Sequence, residues 1–219
     1  MPFVKRVIFD MDGTLVNSMP TYTGAFADVM GKRGVPRDEA GSFLINSAGT
    51  PLQQQFYALI GKHDIKADID ECTAEFWEIV KRSTPVAFAD TESVVRTLRN
   101  QDRRLYITTG TKTEEAKLRL GAVGIAHYFD LILGDGGGLT KGPEHMEAIR
   151  KHLGEDNFER SAVYVGDGPA DMRFATEARI IPIGITHTVQ RQRLEDAGAL
   201  RVIDSLDELP PLLAELDVA

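Results

Sequence analysis

The chain has almost no cysteine and fewer positive than negative charges. Cys72 is the only cysteine in 219 residues, so no intramolecular disulfide can form and no Cys/His zinc cluster is expected. The 25 Lys and Arg residues are outnumbered by 33 Asp and Glu residues, which gives a formal net charge of −8. We expect no nucleic-acid partner, because non-specific binding to phosphates needs basic side chains.

Long apolar runs are also missing. Residues 180–185 form one of the longest, far below the roughly 20 residues that cross a bilayer. Residues 1–6 carry no apolar stretch or small-residue cleavage site typical of a signal peptide, so we expect no membrane partner and a cytoplasmic location. The hydrophobic fraction of 42% and the charged fraction of 26% are those of a globular protein, which excludes collagen-like and disordered classes.

Short apolar runs alternate with helical patterns along most of the chain. Runs rich in β-branched residues, which suit strands buried on both faces, occur at residues 7–9, 105–107, 131–133, 162–165, 180–183 and 202–203. Apolar residues at helical spacing lie between them, for example at positions 94, 95 and 98. This alternation predicts an α/β fold with a doubly wound parallel sheet.

Residues 16–84 break the alternation. They contain only helical patterns, such as Tyr22, Phe26 and Met30. The interval is too long for a structureless loop in a compact domain. We predict an inserted α-helical cap over residues 16–84 and a catalytic core over residues 1–15 and 85–219.

The strongest functional signal is the segment Val-Ile-Phe-Asp-Met-Asp-Gly-Thr-Leu at residues 7–15. If the strand ends at Asp10, alternation places Asp10 and Asp12 on the same side, and Gly13 allows a sharp turn. Two carboxylates then meet at the carboxyl end of a buried strand, where α/β sheets bind ligands. The alternative is an acidic loop that only caps the next helix.

This segment resembles the first motif of the haloacid dehalogenase-like hydrolase superfamily, an apolar strand followed by Asp-x-Asp-Gly-Thr-Leu/Val. The second family motif is a Ser or Thr that closes the next core strand. Thr108 and Thr109 are both candidates, and we favour Thr109 because it follows the apolar stretch and precedes the small residue Gly110. Residues 111–114, Thr-Lys-Thr-Glu, predict a helix capping box whose free N–H groups would favour phosphate close to Thr109 and Gly110.

The remaining two family motifs follow in order. Lys141, in Lys-Gly-Pro-Glu, resembles a loosened form of the family's Lys-Pro-x-Pro and would supply a cation to phosphate and to the nucleophile. The run Gly-Asp-Gly-Pro-Ala-Asp at residues 166–171 matches the fourth motif, Gly-Asp-x-x-x-Asp, with Asp167 at a strand end and Asp171 in a first helical turn. The expected Mg²⁺ ligands are Asp10, the backbone carbonyl of Asp12 and Asp167, with Asp171 mainly supporting them.

The resemblance spans nearly the whole chain and implies a magnesium-dependent phosphatase of the phosphoglycolate phosphatase-like branch. Its partner would be a small-molecule phosphate ester. By resemblance, Asp10 attacks phosphorus, Asp12 protonates the leaving alcohol and then activates water, and Thr109 and Lys141 hold the phosphoryl oxygens.

Three alternatives stay open at this stage. A phosphosugar mutase of the same superfamily would pass the phosphoryl group from Asp10 to a second hydroxyl instead of water. A 2-haloacid dehalogenase is disfavoured because that branch lacks the second carboxylate, here Asp12. A non-catalytic binding protein that has kept the fold is a remote third reading.

The cap gives the weakest sequence signal. Residues 49–51, Gly-Thr-Pro, interrupt its helical pattern, and by resemblance Gly49 and Thr50 lie near a substrate-facing loop that extends to Gln53. The alternative is a simple helix–helix turn. Phe76 and Trp77 are expected mainly in the core of the cap, with stacking on the substrate as the alternative. The identity of the ester and the oligomeric state do not follow from the sequence.

Overall fold

The computed structural model describes residues 4–48 and 50–218. Within them the chain forms six strands and ten α-helices. The strands are β1 (Arg6–Phe9), β2 (Arg104–Lys112), β3 (Leu131–Asp135), β4 (Ala162–Gly166), β5 (Ile181–Ile185) and β6 (Arg201–Ile203). The helices are α1 (Met19–Gly31), α2 (Arg37–Asn46), α3 (Leu52–Lys62), α4 (Ile69–Val80), α5 (Thr91–Asn100), α6 (Thr113–Ala122), α7 (Pro143–Leu153), α8 (Pro169–Glu177), α9 (Arg191–Asp196) and α10 (Leu209–Val218).

The strands form one parallel sheet in the order β3-β2-β1-β4-β5-β6. The central strand β1 pairs with both β2 and β4, so that Phe9 lies beside Ile107 and Val165. All residues of β1 and β4 are buried, which fits their β-branched and aromatic composition. The chain reverses its direction of winding at β1, and such a switch point is where open α/β sheets bind ligands.

Separate apolar clusters cover the two faces of the sheet. Val94, Leu120 and Leu213 of helices α5, α6 and α10 pack on one face. On the other face, Met146 of α7 and Ala175 of α8 pack against the strands. The predicted doubly wound parallel sheet is therefore confirmed.

Helices α1 to α4 occupy the interval where the sequence contains only helical patterns. Their apolar side chains form a cluster distinct from the clusters on the sheet. Phe26 and Phe56 stack with ring centroids 4.6 Å apart, and Phe76 meets Phe56 edge to face at 6.3 Å. Such geometries are favoured because the ring edge is positive and the face is negative. The four helices thus hold together through their own apolar contacts.

Two adjacent segments connect these helices to the sheet. Val16, which precedes α1, forms an antiparallel bridge with Ala87, which precedes α5. The Asn17 N–H donates to the Val86 carbonyl at 2.8 Å. The buried Thr91 hydroxyl donates to the Leu15 carbonyl at 2.9 Å. The outgoing and returning chains are therefore hydrogen-bonded to each other at one place.

The predicted capping box at residues 111–114 is wrong. Strand β2 continues to Lys112, where it pairs with Asp135, and α6 begins only at Thr113. Lys112 precedes the helix without a side-chain cap, and the Thr113 hydroxyl donates instead to the Gly134 carbonyl at 3.0 Å. Pairing with β3 extends the strand into the segment that local sequence assigns to a helix start.

No helix within the described part of the chain is both long enough and apolar enough to cross a membrane.

Candidate active site

Asp10 and Asp12 follow the carboxyl end of β1. The Asp10 N–H donates to the Val165 carbonyl at 2.9 Å, which carries the sheet's geometry one residue past the strand. Gly13 then turns the chain with φ +84°, and a Cβ at this position would lie 2.2 Å from Asp167 Oδ2. Glycine is needed here because both this dihedral angle and this close approach exclude a side chain.

Lys141 connects two of the predicted acidic residues. Its Nζ lies 2.9 Å from Asp10 Oδ1 and 2.7 Å from Asp171 Oδ1, and its side chain is 6% exposed. The Lys141 N–H donates to Asp135 Oδ1 at 2.8 Å, which fixes the loop between β3 and α7. Burial alone would lower the pKa of Lys141, but the charges of Asp10 and Asp171 raise it well above its usual value. The ammonium ion therefore stays charged.

Asp167 and Asp171 approach Asp10 from the end of β4. Asp171, in the first turn of α8, accepts hydrogen bonds from the Gly168 N–H at 3.1 Å and the Tyr164 hydroxyl at 3.2 Å. Asp167 Oδ1 accepts from the Thr14 hydroxyl at 3.1 Å. Asp167 Oδ2 is buried and has no hydrogen-bond partner among the described residues.

Asp10, Asp167 and Asp171 form a buried acidic group that could hold a metal ion. One carboxylate oxygen from each lies within 4.8 Å of the others. Burial and then the charge of Asp171 raise the pKa of Asp167 to about 6. Burial also raises the pKa of Asp10, and Lys141 opposes this effect. Three carboxylates around one ammonium leave negative charge uncompensated, so this set of hard oxygen donors fits a divalent cation such as Mg²⁺.

Asp12 lies outside this acidic group and faces a different set of partners. Its Oδ2 accepts hydrogen bonds from the Thr111 hydroxyl at 2.8 Å and the Thr109 hydroxyl at 3.3 Å. Its Oδ1 lies 4.0 Å from Nη2 of the buried Arg119. The Asp12 side chain is thus positioned away from the metal-binding group, which is compatible with only its backbone carbonyl serving as a ligand.

The two candidate threonines of β2 face opposite ways. Thr109, together with Gly110, lines a cavity above Asp10. The Thr108 hydroxyl instead lies 2.8 Å from the Tyr164 hydroxyl in the protein interior. The alternation of side chains along the strand gives this difference, and it places Thr109 on the side of the carboxylates.

The cavity lies between these polar residues and the helices α1 to α4. It contains about 570 Å³ of empty space, counted out into the solvent at its open mouth. We call Asp10, Asp12, Thr109, Lys141 and Asp167 the polar floor. The helical roof consists of the cavity-lining residues Met19, Tyr22, Leu44, Ala48, Thr50, Leu52, Gln55, Phe76 and Trp77.

Among the cap residues singled out from the sequence, some line the cavity and others do not. Thr50 lines the cavity, whereas Gln53 turns away and its Nε2 donates to Asp70 Oδ1 at 3.2 Å on the exposed side of α3. Gly49 lies outside the described residues. Phe76 and Trp77 belong to the apolar cluster of the roof helices and also line the cavity.

Several residues near the cavity were missed by sequence reasoning. Tyr22 and Gln55 lie on helices whose inner face depends on packing, and Thr111 was assigned to a helix cap. Arg119 is buried in α6 beside Asp12, and its guanidinium carbon lies 5.4 Å from the centre of the Tyr22 ring. A basic residue in an amphipathic helix gives no sequence signal that it is buried.

Comparison with known proteins identifies the family. The model of the haloacid dehalogenase-like hydrolases matches residues 7–185, most of the chain. The chain belongs to this family. The hydrolase is 28% identical over 215 residues to the probable phosphatase IndB of Dickeya dadantii, covering 93% of this chain and 90% of IndB. It is also 28% identical over 217 residues to a phosphoglycolate phosphatase of Rhodospirillum rubrum, covering 94% and 89% of the two chains.

A solved structure shows the same fold. A predicted phosphatase from Clostridium acetobutylicum superposes with a TM-score of 0.83 at 23% identity, covering 97% of this hydrolase and 99% of that protein. The family resemblance and the assignment to the phosphoric monoester hydrolases of this family are therefore confirmed.

Proposed function

We propose that this hydrolase is a magnesium-dependent phosphatase that cleaves a small phosphomonoester through an aspartyl-phosphate on Asp10. One observation carries the proposal. The Asp10 carboxylate lies at the base of a cavity with a buried ammonium, Lys141, 2.9 Å away, and with a second carboxylate, Asp12, that is held separately by two hydroxyl groups.

The first step forms the intermediate. An Asp10 carboxylate oxygen attacks phosphorus while the bond from phosphorus to the ester oxygen breaks, and Asp12 gives its proton to the departing alkoxide. Thr109 and Lys141 donate hydrogen bonds to the phosphoryl oxygens, where negative charge accumulates. These donors are set in place before the reaction, so little reorganisation accompanies the transfer.

The second step regenerates the enzyme. Asp12, now a carboxylate, takes a proton from water as the water oxygen attacks phosphorus. The bond from phosphorus to the Asp10 oxygen breaks, which releases inorganic phosphate and restores the carboxylate. Asp10, the Asp12 backbone carbonyl and Asp167 would hold Mg²⁺, and Asp171 would orient Lys141 through their 2.7 Å contact. When bound there, Mg²⁺ supplies positive charge that offsets repulsion between the carboxylates and the phosphoryl group.

The division of the chain belongs to the same proposal. Residues 1–15 and 85–219 act as the catalytic core, and residues 16–84 act as a cap that excludes bulk water during phosphoryl transfer. The separate apolar cluster of α1 to α4 supports this division.

The test is to trap the phosphoenzyme. Wild type, Asp10→Asn and Asp12→Ala are mixed with radiolabelled acetyl phosphate and Mg²⁺, and acid-stable protein-bound label is followed over time. We expect transient labelling of wild type, no labelling of Asp10→Asn and persistent labelling of Asp12→Ala. Asp38→Asn, an exposed change in α2, is the matched control and should behave as wild type.

Labelling of Asp10→Asn at the wild-type level contradicts the proposal. A labelled enzyme that passes its label to a hydroxyl of an added phosphosugar, and not to water, indicates the phosphosugar mutase. Absence of both labelling and turnover, with the fold intact, indicates a binding protein.

A further inference from the structure

The helical roof offers no positive charge to a substrate. Among the described residues that line the cavity, Lys141 is the only cation, and it is paired with Asp10 and Asp171 at the polar floor. Arg119 is close but does not line the cavity, since it lies behind Tyr22 and beside Asp12. A carboxylate or second phosphate on the leaving group would therefore enter the cavity without a counter-ion of its own, which is unfavourable.

The wall opposite the floor is apolar and partly aromatic. Trp77 meets Tyr22 edge to face at 5.8 Å and Phe76 at 5.2 Å, and these rings line the cavity together with Leu52. The perpendicular contacts hold the partly buried Trp77 in one orientation. This wall suits a flat apolar group.

Gln55 places one hydrogen-bond acceptor on the same wall. Its Nε2 donates to the Thr50 carbonyl at 2.7 Å and to the Ser47 carbonyl at 3.2 Å, which fixes the orientation of the amide. Its Oε1 is buried and has no partner among the described residues. A buried acceptor of this kind favours a ligand that brings a hydroxyl or N–H group.

We infer that the substrate is a phosphate monoester of an uncharged alcohol with a flat apolar face and a hydroxyl or N–H donor, and not an ester that carries a carboxylate or a second phosphate. This inference rests on the proposed phosphatase function and adds the class of the leaving group. Trp77 then determines specificity by packing on the apolar face, and Gln55 Oε1 accepts a hydrogen bond from the hydroxyl or N–H group.

The experiment compares three poor leaving groups, so that intrinsic reactivity does not decide the outcome. The kcat/KM values of wild type are measured with Mg²⁺ for benzyl phosphate, ethyl phosphate and 2-phosphoglycolate, with p-nitrophenyl phosphate as a general probe of phosphatase activity. We expect benzyl phosphate to exceed 2-phosphoglycolate by about tenfold or more, because a favourable apolar contact and an unpaired buried charge both act on this ratio.

Variants of Trp77 test whether this side chain causes the preference for benzyl phosphate. Trp77→Ala should reduce kcat/KM for benzyl phosphate about tenfold more than kcat/KM for ethyl phosphate, and Trp77→Phe should restore most of this difference. Tyr57→Ala is the control, because Tyr57 is an aromatic residue on α3 that is 71% exposed. Thermal melting identifies a Trp77 variant that does not fold, and the wild-type substrate ratio does not depend on any variant.

A benzyl-to-phosphoglycolate ratio of one or less, with p-nitrophenyl phosphate hydrolysed, overturns the inference and leaves the phosphatase proposal intact. If this ratio is well above one but Trp77→Ala does not change it, the specificity role given to Trp77 is overturned. If none of the four esters is hydrolysed, the phosphatase proposal itself is overturned, and the inference with it.

Discussion

The polar floor and the helical roof face each other across one cavity but are built by different means. Lys141, Asp10 and Asp12 are held by hydrogen bonds and ion pairs that are anchored at the ends of parallel strands. The roof is held by ring contacts among helices, such as that between Tyr22 and Trp77. A floor atom is fixed by directional bonds to a rigid sheet, whereas a roof residue can be exchanged if volume is kept. The difference shows how one chemical centre can be combined with different substrates.

Removing the positive charge of Lys141 from the polar floor should reduce activity more than the substitutions that follow. Lys141→Ala leaves Asp10 and Asp171 without their shared cation, so attack on an anionic ester meets stronger repulsion. We expect kcat/KM for p-nitrophenyl phosphate to fall by about 10²–10³-fold, as for loss of one charge-stabilising donor. Lys66→Ala, at an exposed position between α3 and α4, is the control. A Lys141→Ala loss below threefold would show that the floor does not depend on this charge.

Behind the floor, His145 should make stability depend on pH. It is fully buried in α7, and burial lowers its pKa to about 4 from an ordinary 6.5. Between these values the unfolded state binds more protons than the folded state, so stability present above pH 6.5 is lost as the pH falls toward 4. The contribution is at most about 3 kcal/mol.

Urea unfolding at pH 7, 5.5 and 4.5 measures this contribution. The difference in unfolding free energy between wild type and His145→Gln should shrink or reverse as the pH falls, because the variant lacks the titrating ring. Comparison with the variant removes the opposite contribution of the floor carboxyls, whose pKa values are raised. A difference that stays constant across this range would contradict the prediction.

Loss of the hydrogen bond from Thr111 to Asp12 should reduce kcat moderately. Thr111→Val keeps the side-chain shape but removes the hydroxyl that donates to Asp12 at 2.8 Å. A hydrogen bond to a charged group contributes roughly 1.5–3 kcal/mol, so we expect kcat to fall by about 10- to 100-fold. Thr108→Val is the matched control on the same strand, because its hydroxyl contacts Tyr164 instead. Equal losses of kcat in the two variants would assign the effect to the strand and not to Asp12.

The smallest effect, on stability, is expected from removing the exposed contact between Arg193 of α9 and Asn46 of α2. Arg193 of α9 donates to Asn46 Oδ1 at 2.6 Å and to the Asn46 carbonyl at 2.8 Å, both at an exposed position. Arg193→Ala should change the unfolding free energy by about 0.5 kcal/mol or less, since solvent competes for these bonds. Urea unfolding tests this, and a loss above 2 kcal/mol would show that roof and floor are joined more tightly than the comparison implies.

The two regions also differ in how far the sequence predicts them. Asp10, Asp12 and Asp167 follow directly after buried strands, so strand order alone brings them near one another. Lys141 was placed by its position in the family motif. For each of these residues the fold determines the location with little dependence on side-chain packing.

The roof could not be predicted in the same way. Gln53 and Gln55 lie two positions apart on α3, which turns about 100° per residue, so they point to nearly opposite sides. Only the packing of α3 against its neighbours selects Gln55 for the cavity. Thr111 was missed for a related reason, since pairing with β3 turned a local helix-start pattern into strand.

The bridge between Val16 and Ala87 has a geometric consequence for the cavity. Both covalent connections between the roof helices and the sheet pass through this bridge, where they are bonded to each other. A rigid rotation of the helices about such an axis displaces each atom in proportion to its distance from the axis. Roof atoms that lie far from this axis would then travel furthest for a given angle. A small change in the dihedral angles at residues 16–17 and 86–87 therefore suffices to widen the mouth of the cavity.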